Sequence, residues 1–168
     1  MSQKTNYLLK PNPSDPRLTE IVSGIDHEGK LLETSVTVER PLTLFLNSRE
    51  IVTMMTICDY PEYLAIGYLL NQNMLGLEEK ITKVEYHLDI ATVVVRTNEV
   101  TNYEEKLKKK TLTSGCAQGT VFGDVMEKFD EIKLPKDVFL KTSWLKKVTK
   151  SINTLPSLYL YAGAIHGC

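Results

Sequence analysis

Two alternating stretches and the turn between them decide the fold of this chain: Leu42-Thr43-Leu44-Phe45-Leu46, Asn47-Ser48 and Ile51-Val52-Thr53-Met54. Every second side chain of the first stretch is leucine, which is typical of a strand with one face against a core. Asn47-Ser48 is a polar, turn-forming pair. The preceding Val36-Thr37-Val38-Glu39-Arg40 alternates as well. Together these residues predict an antiparallel β-hairpin.

A helix is predicted after the hairpin. Leu64-Ala65-Ile66-Gly67-Tyr68-Leu69-Leu70 is apolar on nearly every side, which is typical of a buried helix. Asp59 could cap its first turn, where Pro61 also fits. Gly67 in mid-helix suggests close packing of another backbone.

Further strands complete a small β-rich unit predicted over residues 36–105. One has Val84, Tyr86 and Leu88 on one face, and the next covers residues 92–95. Residues 1–35 contain three prolines and little periodicity. They are expected to form a loose N-terminal arm, with a strand near Ile21-Val22.

The composition limits the classes of partner. Lys and Arg number 20 and Asp and Glu number 21, which gives a formal net charge of −1. This balance argues against nucleic acid or an anionic membrane as a partner of the whole chain, although a local patch is compatible with it. The N-terminus lacks an apolar signal run, and no apolar stretch approaches the roughly 20 residues that span a bilayer. The three cysteines are odd in number and far apart, which argues against a disulfide framework. The expected compartment is the reducing cytoplasm.

The second half of the chain predicts another unit. Residues 106–120 are interpreted as a connector and a cysteine loop. A helix is predicted over residues 143–153 from four apolar side chains at helical spacing, Trp144, Leu145, Val148 and Ile152. Residues 158–165 are apolar on both faces, which is typical of a central strand that needs neighbours. We therefore expect the unit over residues 121–168 to be incomplete.

Cys116 is the residue that most favours a chemical role. It lies among small residues in Thr113-Ser114-Gly115-Cys116-Ala117-Gln118-Gly119-Thr120, where neighbouring glycines leave a sulfur reachable. The lysines just before this segment, among them Lys109 and Lys110, favour the thiolate, which is the nucleophilic form. Two plainer interpretations stay open: a buried apolar residue for Cys116, and a solvated connector for the lysines.

The remaining candidates are weaker. Cys58 precedes a helix start and is interpreted as structural, although a helix N-terminus can lower the pKa of a thiol. Cys168 has no readable context. His166 follows an apolar run, where it could satisfy its ring nitrogens locally or form the wall of a site.

Four segments together resemble the formate dehydrogenase accessory sulfurtransferases, the FdhD family. Besides the Cys116 loop they are Glu39-Arg40-Pro41-Leu42 with Leu46-Asn47, then Leu64 to Gln72, and Ala162-Gly163-Ala164-Ile165-His166. Each segment alone is weak, but their order and spacing match from about residue 36 to the end.

The resemblance implies a sulfur carrier. Such a protein accepts a sulfane sulfur from a cysteine desulfurase as a persulfide, here on Cys116. It passes the sulfur to the molybdenum (or tungsten) bis-pterin guanine dinucleotide cofactor that formate dehydrogenase needs. Lys109, Lys110 and His166 are then candidate cofactor contacts, and no protein-bound metal is expected. Cysteine desulfurase and formate dehydrogenase are the implied partners, nucleic acid and membrane are not expected, and a homodimer is left open.

The implied fold is α+β: a small β-rich N-terminal unit followed by a partial α/β unit similar to cytidine deaminases. Three departures from the family pattern stand out. The loop lacks the second cysteine of Cys-x-x-Cys, the helix ends in Gln72-Asn73 instead of Glu-Gly, and members continue well beyond His166.

Two other functions compete with sulfur transfer. A zinc deaminase needs His-x-Glu and Pro-Cys-x-x-Cys, but Gly167-Cys168 follows His166 and no such cysteine pair exists. A non-catalytic chaperone that binds formate dehydrogenase or its cofactor remains the alternative. Replacement of Cys116 separates the two, since only a carrier depends on the thiol.

Overall fold

The computed structural model of the chain describes residues 12–75, 80–98, 110–112, 120–122, 133, 135–163 and 165. The chain divides into two compact units, one formed by Met1–Glu39 with Leu140–Cys168 and the other by Arg40–Phe139. The described strands are β1 Thr19–Ile25, β2 Leu31–Thr37, β3 Arg40–Leu46, β4 Arg49–Thr56, β5 Ile81–His87, β6 Thr92–Thr97, β7 Lys110–Leu112 and β8 Thr120–Phe122. The described helices are α1 Pro61–Asn71, α2 Thr142–Thr154 and α3 Leu158–Ala162. This mixture confirms the α+β class, and the resemblance of residues 121–168 to a deaminase stays a prediction.

The unit Arg40–Phe139 is built on a four-stranded sheet in the order β4-β3-β6-β5. The strands β3 and β4 form the predicted antiparallel hairpin. The strands β5 and β6 are also antiparallel, whereas β3 and β6 run parallel. Parallel neighbours need a long crossover. The segment that connects the β3–β4 hairpin to the β5–β6 hairpin contains α1. It is long enough to let β6 lie parallel to β3.

The core of this unit follows from the leucine alternation in β3. Leu42, Leu44 and Leu46 are fully buried, as are Val93 and Val95 of β6. They belong to one apolar cluster with residues of α1. Each such side chain contributes about 1.5–3 kcal/mol by leaving water, so the alternation determines which sheet face α1 covers.

Asn47 fixes the turn after β3. Its φ of 55° lies in the left-handed region, which Asn adopts more readily than most residues. Its Oδ1 accepts a hydrogen bond from Thr97 N at 2.8 Å, and its Nδ2 donates to Thr97 Oγ1 at 3.3 Å. Asn47 N also donates to Val95 O at 2.7 Å. The turn is therefore tied to the end of β6.

The helix α1 lies where it was predicted but is only partly buried. Pro61, Ala65 and Leu69 form its buried face, because residues four apart lie on the same side of a helix. Tyr63 is 59% exposed. The expectation of a helix buried on all sides is therefore wrong.

Two details of α1 also differ from the sequence prediction. Its N-cap position is Tyr60, with a left-handed φ of 49°, instead of Asp59. Among the described residues, a Cβ at Gly67 would meet no atom within 4 Å. No backbone of that part of the chain packs closely against Gly67, so that expectation is wrong too.

The end of α1 explains one departure from the family pattern. Asn73 occupies the position where the resemblance expects glycine, and it adopts a left-handed φ of 53°. Met74 N donates to Leu69 O at 2.9 Å across this turn. Asn is the usual substitute for glycine at such helix ends, so the departure preserves the local backbone.

In the other unit, β1 and β2 form an antiparallel hairpin. The strand near Ile21-Val22 is confirmed, but the loose arm expected over residues 1–35 is corrected over residues 19–35. The reason is the turn between the strands: Asp26 Oδ1 accepts from Glu28 N and Lys30 N, both at 2.9 Å. Gly29 supplies the left-handed φ of 80° that the turn requires.

The C-terminal segments of this unit are helical. The predicted amphipathic helix is confirmed as α2. The strand predicted from Leu158 is instead the short helix α3, because Ser157 Oγ accepts from Leu160 N at its start and Gly163, with φ 67°, ends it. The helix lies against β2 and buries Leu158. The interpretation of this run as a central strand is therefore wrong.

Candidate functional site

The strands β7 and β8 bracket the segment that carries Cys116. They pair antiparallel, with Lys110 opposite Phe122 and Leu112 opposite Thr120. Directly opposed residues of an antiparallel pair have their Cα atoms about 4.5–5.5 Å apart. Cys116 is four positions from Leu112 and four from Thr120 in the sequence. The two ends of the segment are thus joined, and the cysteine is its central residue.

The structure describes few of the predicted site residues. Cys116, Lys109 and His166 lie outside the described residues. Lys110 is described in its backbone alone, as the first residue of β7. The described structure therefore does not test whether these side chains come together, and their roles stay predictions.

Cys58 is the cysteine that the structure describes. It is half-buried and packs against the core cluster of the four-stranded sheet. Its φ of 56° is left-handed, and its backbone N donates to Thr56 Oγ1 at 3.3 Å. A thiol that fills space beside a core and sits in a constrained turn is poorly placed for access by a second protein.

The Tyr86 hydroxyl interacts with the Cys58 thiol and with two charged residues, Arg40 and Glu62. Burial raises the pKa of the Tyr86 hydroxyl, the Cys58 thiol raises it further by charge and by a hydrogen bond, and Arg40 acts in the opposite direction. Sequence reasoning missed this pairing. The sequence feature that indicated it is the alternation of β5, which places Val84 and Tyr86 on the core face.

The described residues contain neither a metal-binding cluster nor a membrane-spanning helix. No three His, Cys, Asp or Glu side chains among them come close enough to hold a metal ion. None of the helices in these same ranges is both long and apolar enough to cross a membrane.

Two of the four segments that carried the resemblance lie in the sheet unit and its helix. Arg40 and Leu42 lie in β3, Asn47 pins the turn, and Leu64 to Asn71 belong to α1. The model of the FdhD/NarQ family matches residues 37–168 of the chain. The chain belongs to the FdhD/NarQ family.

Named relatives agree with this assignment. The Sulfur carrier protein FdhD of Wolinella succinogenes is 29% identical over 119 residues, which cover 67% of this chain and 40% of the relative. The Sulfur carrier protein FdhD of Listeria monocytogenes serotype 4b is 30% identical over 88 residues, covering 52% of this chain and 34% of the relative. The chain thus spans about a third to two fifths of the length of these relatives.

A solved structure is also similar. It is that of a protein from Desulfotalea psychrophila described as a formate dehydrogenase accessory protein. The two chains are 21% identical with a TM-score of 0.41, and the likeness covers 47% of this chain and 36% of the other.

Proposed function

We propose that the chain carries sulfur on Cys116. The thiol accepts a sulfane sulfur from a cysteine desulfurase and passes it to the molybdenum (or tungsten) bis-pterin guanine dinucleotide cofactor that formate dehydrogenase needs. Lys109, Lys110 and His166 are the proposed contacts for this anionic substrate. The observation that carries the proposal is family membership over residues 37–168, with relatives named as sulfur carriers.

The described structure supports the choice of Cys116 over Cys58. A carrier must present its sulfur to two different proteins in turn, which requires an accessible thiol. Cys58 packs against the core and interacts with Tyr86. Cys116 is the central residue of a short segment whose ends are joined by β7 and β8.

The loading step conserves electrons. The Cys116 thiolate attacks the terminal sulfur of the donor persulfide. The S–S bond of the donor breaks, the donor cysteine leaves as a thiolate, and a new S–S bond forms at Cys116. One persulfide replaces another, so nothing is oxidised or reduced overall.

The delivery step requires a reductant. Sulfur that reaches the metal of the substrate cofactor as sulfide takes up two electrons while Cys116 returns to the thiol. Segment 113–119 holds a single cysteine, so an internal disulfide within it cannot supply them. The proposal assigns these electrons to an external thiol, two equivalents of which become a disulfide.

Mass spectrometry tests the loading step. The full chain is incubated with a cysteine desulfurase and L-cysteine, and the peptides are mapped under non-reducing conditions. We expect a mass gain of one sulfur on the peptide that contains Cys116, lost in Cys116→Ser and retained in the matched controls Cys58→Ser and Cys168→Ser. An adduct confined to Cys58, or no adduct at all, overturns the proposal.

A cellular assay separates a carrier from a binding protein. The wild-type chain and Cys116→Ser are expressed in cells that lack their own family member, and formate dehydrogenase activity is measured. We expect restoration by the wild type and none by the variant, at equal levels of both chains. Equal restoration by both would assign the non-catalytic chaperone role instead.

A further inference from the structure

We draw no further inference here: the strongest candidate, the side-chain cluster that Cys58 before α1 forms with Tyr86 of β5, rests on a lone half-buried cysteine, and no second feature of the described residues shows what ligand it would bind.

Discussion

Replacing Asn47 by alanine should destabilise the four-stranded sheet by about 2–4 kcal/mol. Its Oδ1 accepts from Thr97 N at 2.8 Å, and losing that acceptor removes a hydrogen bond from a half-buried amide, at a cost of about 1–3 kcal/mol. The φ of 55° adds about 1 kcal/mol for alanine, which unlike Asn and Gly is poorly accommodated there. The bond from Nδ2 to Thr97 Oγ1, at 3.3 Å, adds less.

Two further substitutions at this position separate the causes. Asn47→Gly removes both side-chain bonds but tolerates the backbone, so it should lose about 1 kcal/mol less than Asn47→Ala. Asn47→Asp keeps an acceptor for Thr97 N and should lose less than about 1 kcal/mol. Urea unfolding followed by circular dichroism gives the free energies of unfolding, and hydrogen exchange reports the Thr97 amide itself. If alanine, glycine and aspartate proved equivalent, or Thr97 kept its protection in the alanine variant, the reasoning would be refuted.

Three other substitutions test the rest of the sheet unit. Gly67→Ala should raise the free energy of unfolding by about 0.5–1 kcal/mol, because α1 offers open space there; a loss would reveal a close neighbour. Leu44→Ala should lower it by about 2–5 kcal/mol in urea unfolding, since the side chain is fully buried, and a loss below 1 kcal/mol would contradict the core assignment. Hydrogen bonds from Lys83 and then Arg96 hold the pKa of Glu85 at about 2, below its ordinary 4.5. The stabilisation of the folded state by Glu85 is therefore complete above pH 4.5 and is lost as the pH falls through about 2. In Glu85→Gln the free energy of unfolding should depend less on pH over that window. An unchanged pH dependence would argue against these hydrogen bonds.

The sequence predicted one feature of the candidate site and missed another. The motif around Cys116 could be recognised because small residues and glycines flank a lone thiol. Cys58 was interpreted as structural, but its pairing with Tyr86 could not be predicted, because Tyr86 comes from β5, 28 positions later in the numbering, and only the sheet brings the two together.

Local sequence patterns determined the β3–β4 hairpin and the position of α2, whereas the α+β class was implied by the family resemblance. A period of two places Leu42, Leu44 and Leu46 on one face of the strand, and a period of 3.6 aligns the four apolar side chains of α2. Tertiary structure decided the parallel pairing of β3 with β6, since strand order depends on which apolar faces meet across the unit. It also decided that the apolar run from Leu158 is a helix, because a short apolar run fits both periods until capping by Ser157 and packing against β2 select one.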